Sequence, residues 1–273
     1  MAFQDMRIEL HKDKNIGKVL FIVEGAKTEP YIMTKMFTGI FDYQLETKLR
    51  GKGYKQFNSK INPDSKIFVI NTQQSNIQFI EKDDGYLNNL FKELIEKYDF
   101  DIDNAAIFYI FDRDDQSNTD SVFLENMLSK LVNSRDNPDY DRQGLILLSY
   151  PSIESFTLSC YRDNVMCMGF ETGQKLKTFL GAQKINNQRI DEAALLHAAS
   201  ELLNALDLIN DCSFDLDDFS ECNLDVFHNE ESGKNKNGLY QCMSLLIIAL
   251  MDLGLVELIS MDTSASKDAP SHI

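Results

Sequence analysis

Four short, continuous apolar runs lie in the first 150 residues or so, and segments with helical spacing of apolar residues separate them. The runs occupy residues 19–23, 67–70, 105–111 and 145–148. Continuous apolar runs of this length are typical of strands that are buried on both faces. Strands that alternate with helices indicate βαβ units, so the sequence predicts an α/β fold in which helices flank a parallel sheet.

The pattern changes after about residue 160. We predict a helix over residues 193–208, an irregular acidic segment over 211–231, a basic turn at 233–238 (GKNKNG) and an apolar helix from Leu239. The predicted organisation is therefore an α/β domain, a mainly helical C-terminal region and a mobile tail, at residues 1–160, 161–261 and 262–273.

Charge and cysteine content limit the classes of function. The chain has 27 Lys and Arg against 43 Asp and Glu, a formal net charge of −16. This excess counts against unaided, nonspecific binding to duplex DNA, unless metal cations or a basic partner offset it.

The five cysteines have no zinc-knuckle spacing, and the four histidines form no H-x-x-x-H pair, so a zinc site is not expected. The odd number of cysteines favours reduced thiols in a cytoplasmic protein.

Neither a signal peptide nor a membrane span is expected. Residues 1–15 are polar and lack the apolar core of a signal peptide. Residues 239–259 are strongly apolar, but Asp252 and Glu257 interrupt them. A spanning helix needs about 20 nearly uncharged residues. We therefore predict that this segment is a buried helix.

Acidic residues follow two of the predicted strands. Glu24 comes directly after the first strand, and Asp112 and Asp114 follow the third. Because ligands in open α/β sheets bind beyond the carboxyl ends of the strands, three carboxylates would surround one point if these strands are neighbours. Such a group repels itself unless a cation lies between its members. The alternatives are a solvated turn, or surface ion pairs with Lys27 and Arg113.

The segments VLFIVEGAKTEPYIM and AAIFYIFDRDD, which contain these carboxylates, resemble the two signature motifs of the Toprim domain. That fold is shared by topoisomerases, bacterial primases, OLD-family nucleases and small RNases. The resemblance implies a Toprim-like domain over residues 1–160. It also implies that Glu24 acts as an acid/base or metal group and that Asp112 and Asp114 bind Mg²⁺.

The chain is most similar to the RloB-like and OLD-like branch of that family. The similarity lies in Glu24 to Tyr31 (EGAKTEPY) and in Pro151 to Phe156 (PSIESF), which follows the fourth strand. By this resemblance, Glu29 and Glu154 are candidates to support the first metal from outside its direct ligands or to bind a second metal, and Ser152 is a polar contact. OLD-like nucleases also use a late lysine near the phosphate, a role that Lys236, or Lys234, could fill.

The resemblance implies an endonuclease that uses one or two Mg²⁺ (or Mn²⁺) ions to hydrolyse phosphodiester bonds in RNA, including tRNA, or in DNA. Relatives of this type are often toxic effectors of bacterial antiphage defence, controlled by an ABC- or SMC-like ATPase. A non-catalytic, regulatory Toprim-like subunit is the alternative. A primase-like enzyme is less favoured because no Gly-rich phosphate loop is present. The oligomeric state stays open, with a homodimer as one alternative.

Other polar residues have two interpretations each. Thr28 is predicted to cap the first helix, and Asp115 to cap the loop that follows it. Arg113 would balance charge or contact a phosphate. The basic loop at 48–63 would be solvated, or would bind nucleic acid through its lysines and through Tyr54 and Phe57.

Overall fold

The computed structural model describes residues 6–46, 54–72, 77, 84–98, 100, 102, 104–114, 118–136, 143–209, 214–215 and 218–260. The strands are β1 (Met6–Leu10), β2 (Lys18–Val23), β3 (Tyr43–Leu45), β4 (Tyr54–Ser59), β5 (Lys66–Asn71), β6 (Ala106–Asp112), β7 (Val132–Asn133), β8 (Gly144–Tyr150), β9 (Gly169–Phe170), β10 (Tyr240–Gln241), β11 (Met243–Ser244) and β12 (Val256–Ser260). The α-helices are α1 (Thr28–Gly39), α2 (Asp84–Tyr98), α3 (Ser121–Lys130), α4 (Glu154–Ser159), α5 (Gly173–Ala182), α6 (Glu192–Leu208), α7 (Ser220–Asn237) and α8 (Leu246–Asp252).

The fold is α/β, with a mixed and largely parallel central sheet flanked by helices. Within the described ranges this sheet has eight strands in the order β11-β8-β6-β2-β5-β4-β3, and β7 also pairs with β8. The four strands predicted from the apolar runs are β2, β5, β6 and β8, and they form the parallel centre of the sheet. The prediction of these strands is confirmed. They are buried almost throughout, as the runs indicated.

The order of the parallel strands creates a switch point between β2 and β6. The chain leaves β2 through α1 and reaches β5 on one side, whereas it leaves β6 through α3 and reaches β8 on the other side. Connections that diverge in this way open a crevice at the carboxyl ends of the two strands. Phe21 on β2 stacks on Phe108 on β6, with ring centroids 5.2 Å apart, so the core is packed directly beneath this crevice.

The prediction of a basic loop at 48–63 is wrong for residues 54–59. Residues 54–59 form β4, which pairs antiparallel with β5. Phe57 is fully buried, and Lys55 Nζ donates hydrogen bonds to the Pro30 carbonyl (3.0 Å) and to Thr34 Oγ1 (2.8 Å). Tyr54 contacts Tyr98 through its hydroxyl and ring. These groups are therefore engaged in the fold, and residues 47–53 lie outside the described residues.

The C-terminal half differs from the prediction in three places. Residues 220–231 were expected to be irregular and 233–238 a turn, but both belong to α7 or its end, and Gly238 closes that helix with φ +72°. The predicted single apolar helix from Leu239 is divided into β10, β11, α8 and β12. The predicted helix at 193–208 is confirmed as α6. The predicted mobile tail lies outside the described residues.

Strands from the C-terminal half also join the N-terminal half. β11 extends the central sheet beside β8, and β12 pairs antiparallel with β1. Buried side chains from Ile16 to Val256 form one continuous core. The division at residue 160 stays a prediction, but the two sides of that position share both sheet and core.

Two further expectations concern the redox state of the cysteines and the presence of a membrane-spanning helix. Cys160, Cys167 and Cys242 are free thiols, whereas Cys222 is disulfide-bonded, so the expectation of uniformly reduced cysteines is wrong for Cys222. Of the helices in the described part of the chain, none combines the length and the apolar character that crossing a bilayer requires.

A buried carboxyl group lies between α7 and the short strand β10. Glu230 is 1% exposed, and its Oε2 accepts a hydrogen bond from the Gln241 backbone N–H at 2.8 Å. Burial raises the pKa of Glu230 to about 8, and the neighbouring Glu231 carboxylate adds to this rise. Removing the carboxylate from water favours its neutral, protonated form.

This raised pKa predicts a specific pH dependence of stability. The folded state holds the Glu230 proton up to about pH 8, whereas the unfolded chain releases it near pH 4.5, so stability falls as pH rises between these values. Glu230→Gln should remove this fall, by up to about 1.4 kcal/mol per pH unit, and should stabilise the protein near pH 8. Urea unfolding at several pH values measures the effect. The exposed Glu221→Gln on the same helix is the control, and equal pH profiles for wild type and Glu230→Gln would contradict the prediction.

Candidate metal centre

Glu24 and Asp112 meet at the carboxyl ends of neighbouring strands. β2 and β6 pair in parallel, with Val23 opposite Ile110, and the Glu24 N–H donates to the Ile110 carbonyl at 3.1 Å. The Asp112 N–H donates in turn to Glu24 Oε2 at 3.0 Å. The two strand ends are therefore joined through the Glu24 side chain. The predicted proximity of these two carboxylates is present at the switch point of the sheet.

Asn118 holds these strand ends in place, and no motif in the sequence marks it as a site residue. This residue is 2% exposed, and its Nδ2 donates to Glu24 Oε2 (3.2 Å) and to the Asp112 carbonyl (2.7 Å). Its Oδ1 accepts from the Ile77 N–H at 2.9 Å. An amide can donate and accept at once, which a carboxylate at this position could not do. Asn118 therefore fixes one oxygen of Glu24.

Glu29 reaches the same region from the first turn of α1. It is 5% exposed, and its Oε1 accepts from the Gly25 N–H at 2.7 Å. A Cβ atom at position 25 would lie 2.4 Å from Glu29 Oε2, a distance that real Cβ atoms do not show. The lack of a Cβ atom at Gly25 therefore allows the backbone to approach this carboxylate closely.

The segment after β8 completes the cluster with Glu154, which is 6% exposed. The Ile153 N–H donates to Asp112 Oδ1 at 2.7 Å, and Ser152 Oγ donates to Glu154 Oε2 at 2.8 Å. This segment therefore contacts Asp112 and positions Glu154 next to it. The Ser152 hydroxyl, predicted as a polar contact, orients a carboxylate of the cluster.

The four carboxylates act on one another electrostatically, and we call Glu24, Glu29, Asp112 and Glu154 the carboxylate cluster. Burial raises the pKa of Asp112 well above its usual range, and the charges of the other three members raise it further. Burial also raises the pKa of Glu29, with a contribution from Glu154. Packed carboxylates of this kind favour either protonation or a cation among them.

Lys177 supplies a positive charge that the sequence analysis did not assign to the site. It lies on α5, and its Nζ is 3.5 Å from Glu154 Oε1. Although burial opposes the shift, the charges of Glu154, Asp112 and Glu29 raise the pKa of Lys177. Lys177 therefore stays protonated beside the cluster. Of the two late lysines that the resemblance suggests, Lys234 Nζ donates to the Glu171 carbonyl, two residues before α5 begins, and Lys236 is exposed in the last turn of α7.

Asp114 lies on the side of the cluster that faces α5. A Cβ atom at Gly173, the first residue of α5, would lie 2.8 Å from Ser152 Oγ and 3.3 Å from Asp114 Oδ2. The Asp114 carboxylate therefore approaches the start of the helix that carries Lys177, close to the Ser152 hydroxyl. The D-x-D pair thus places Asp112 within the carboxylate cluster and Asp114 at its border.

Arg113 does not neutralise the two aspartates. Its side chain is 3% exposed and forms an ion pair with Glu231 on α7, with Nε 2.9 Å from Oε1. Further hydrogen bonds join the guanidinium to the Asn118 carbonyl and to Ser121 Oγ. This planar guanidinium ties β6, the following loop and α7 together. Both proposed roles of Arg113, surface charge balance and phosphate contact, are replaced by this buried pair.

Two predicted caps have different outcomes. The expectation that Thr28 caps α1 is wrong, because the helix begins at Thr28 itself and Lys27 occupies the N-cap position without a side-chain hydrogen bond. Asp115 lies outside the described residues. Asp120 caps α3 instead, accepting a hydrogen bond from the Phe123 N–H at 3.0 Å.

A separate group of side chains has the spacing that a metal ion needs. Among the described residues, one group brings three ligand atoms within 4.8 Å of one another, and it consists of Asp163, His197 and Glu201. This Asp/His/Glu group could hold a metal ion. The carboxylate cluster is wider than this limit, an arrangement that suits a hard cation that keeps several of its waters and takes only one or two carboxylates directly.

The role of Asn118 can be tested by stability. Asn118→Ala removes the donor to Glu24 and leaves the Ile77 N–H without its acceptor, so we expect a loss of about 1–3 kcal/mol in the free energy of unfolding. Asn186→Ala is the matched control, because this exposed asparagine accepts one backbone N–H, from Gln188. Urea unfolding should show a loss below about 1 kcal/mol for the control. Equal losses in both variants would contradict the assigned role.

A comparison with protein-family models finds no match, and a comparison with curated protein sequences finds none either. The assignment of a function therefore rests on the residues of the carboxylate cluster and on the resemblance of the motifs that carry them.

Proposed function

We propose that this protein is a Mg²⁺-dependent endonuclease that hydrolyses phosphodiester bonds. The observation that carries the proposal is the convergence of the carboxylate cluster, with Lys177, at the switch point between β2 and β6. The two segments that carry these residues resemble Toprim motifs, and that resemblance implies Mg²⁺-dependent phosphodiester chemistry. RNA, including tRNA, and DNA are both proposed substrate classes.

The ligand set fits a hard divalent cation. Every group in the carboxylate cluster offers oxygen, and oxygen ligands are those that Mg²⁺ and Mn²⁺ prefer. Glu24 and Asp112 would hold the ion directly, and Asp114, Glu29 and Glu154 would hold its waters or a second ion. When bound, the ion would polarise a phosphoryl oxygen and lower the pKa of a water that it binds.

The residues of this chain position those groups. Asn118 and the Asp112 N–H fix one oxygen of Glu24, and the Ile153 N–H fixes one oxygen of Asp112. Preorganised carboxylates need no reorganisation during the reaction, which is the main source of electrostatic catalysis. The resemblance gives Glu24 either this ligand role or an acid/base role, and the residue is only partly buried.

Lys177 is the proposed phosphate contact. Its ammonium lies beside Glu154 on the border where Asp114 approaches α5, and a protonated lysine stabilises negative charge that develops on a phosphate oxygen. The resemblance gives the same role to Lys236 or Lys234, so Lys177 is an additional candidate. Without substrate, the ion pair with Glu154 holds Lys177 at the cluster.

The strong negative charge of the chain suggests how such an activity would be controlled. With a formal net charge of −16, the protein is repelled by nucleic acid unless a cation or a basic surface intervenes. An ABC- or SMC-like ATPase that docks on this acidic surface, as the resemblance implies, would regulate access to substrate. In this proposal the protein acts as a toxic effector of antiphage defence.

Cleavage assays test the proposed activity. The purified protein is incubated with Mg²⁺ or Mn²⁺ and with tRNA, plasmid or linear DNA. We expect cleavage that Asp112→Asn lowers at least about 100-fold, because the amide cannot replace a charged ligand. Lys177→Met should lower cleavage similarly without removing Mn²⁺ binding. Glu221→Gln, an exposed substitution on α7, serves as the control and should retain full activity.

Binding measurements separate an inhibited nuclease from a protein without this function. Mn²⁺ binding that Asp112→Asn weakens, in the absence of cleavage, would support the metal centre and point to a missing partner. Full cleavage by Asp112→Asn, or wild-type protein that neither cleaves nor binds Mn²⁺, would contradict the proposal. In the second case, with neither cleavage nor Mn²⁺ binding, the non-catalytic alternative would stand, in which the carboxylates lie beside Lys177 without a metal ion.

A further inference from the structure

A second cluster of polar side chains lies where α4 ends and α6 passes beside it. His197 and Glu201 are four residues apart on α6, so they share one face of the helix. Asp163 comes from the turn that follows α4, and its side chain is 83% exposed. One ligand atom of each residue lies within 4.8 Å of the other two. None of these residues belongs to the carboxylate cluster.

The hydrogen bonds of His197 determine which ring nitrogen faces the two carboxylates. Its Nδ1 lies 2.6 Å from the Ser159 carbonyl oxygen, which can only accept, so Nδ1 carries a hydrogen. The Nε2 atom lies 3.0 Å from Asp163 Oδ1. Either a proton or a metal ion must therefore lie between Nε2 and the carboxylates. Histidine ligands of metals commonly donate their second N–H to a backbone carbonyl in this way, because that bond fixes the ring.

Glu201 is held in place by a backbone hydrogen bond. It is 9% exposed, and its Oε2 accepts a hydrogen bond from the Val165 N–H at 2.9 Å. Two carboxylates and a neutral imidazole carry a total charge of −2, which a divalent cation balances. The exposed Asp163 leaves the group open to solvent, so an ion can enter and keep a water as a further ligand.

We propose that Asp163, His197 and Glu201 form a second metal site that takes a divalent ion of the zinc class. Imidazole nitrogen favours Zn²⁺, Co²⁺ and Ni²⁺, whereas Mg²⁺ prefers sites made of oxygen alone. Ligand atoms of a tetrahedral Zn²⁺ site are about 3.3 Å apart, since each lies about 2.0–2.1 Å from the ion. The three atoms therefore need only a small inward movement, which the exposed Asp163 side chain can supply.

The site would brace the helix that carries Glu154. α4 runs from Glu154 to Ser159, and the Ser159 carbonyl accepts the His197 hydrogen bond at the end of that helix. An ion at this point would fix the turn after α4 against α6. This inference does not depend on the proposed nuclease activity, because it requires only the three ligands and their geometry.

The test is Zn²⁺ and Co²⁺ binding by the full-length, metal-free protein. The Asp112→Asn variant provides the background, so that ions do not bind at the carboxylate cluster. We expect one Zn²⁺ per chain in calorimetry, and a visible Co²⁺ absorption band of a low-coordinate site. Added to this background, His197→Ala should weaken binding at least about 100-fold.

Two further variants keep the test decisive. Asp163→Asn preserves an acceptor for the imidazole but is a poor metal ligand, and its exposed position protects the fold. It should also weaken Zn²⁺ binding. His228→Ala is the matched control, because His228 Nε2 pairs with Glu125 at 2.9 Å on the surface, outside the three-residue group. It should leave binding unchanged.

Two results would overturn the proposal. One is the absence of Zn²⁺ and Co²⁺ binding at millimolar concentration in the Asp112→Asn background, which would mean that a proton alone joins His197 to Asp163. The other is binding that survives both His197→Ala and Asp163→Asn, which would place the ion elsewhere.

Discussion

The hydrogen bond from the Asp112 N–H to Glu24 Oε2 joins the two strands on which the candidate metal centre depends. The two residues lie 88 positions apart in the chain. They meet because β2 and β6 are parallel neighbours in one register. The apolar interiors of both strands secure that register, since a slip would expose buried residues at the carboxyl ends. The self-repelling carboxylates are thus held together by the core beneath them.

The strands of the parallel centre were predictable because each is a short, fully buried apolar run, and burial on both faces leaves no other composition. The proximity of Glu24 and Asp112 was predictable only on the condition that their strands are neighbours. Strand order depends on how the crossover helices pack, and no local pattern encodes it. The resemblance to Toprim motifs drew attention to Glu29 and Glu154, which the structure places beside Asp112.

The parts of the site that sequence missed depend on long-range packing. Asn118 and Lys177 lie in segments with no distinguishing pattern, and their roles arise only when α3 and α5 pack beside the strand ends. The two glycines of the GKNKNG segment predict a turn. In the structure, Gly233 lies within α7 and only Gly238 ends that helix. Histidine spacing predicts no zinc site, because no second histidine lies near His197 in the sequence. In the structure, the carboxylates of Asp163 and Glu201 lie close to His197 instead.

The metal chemistry of the carboxylate cluster can be tested without knowledge of substrate or partner. Crystals of the protein soaked in Mn²⁺ would locate the ion by its anomalous scattering. We predict a peak within bonding distance of Glu24 and Asp112 that disappears in Asp112→Asn crystals. A map with Mn²⁺ bound elsewhere and none at these carboxylates would contradict the account.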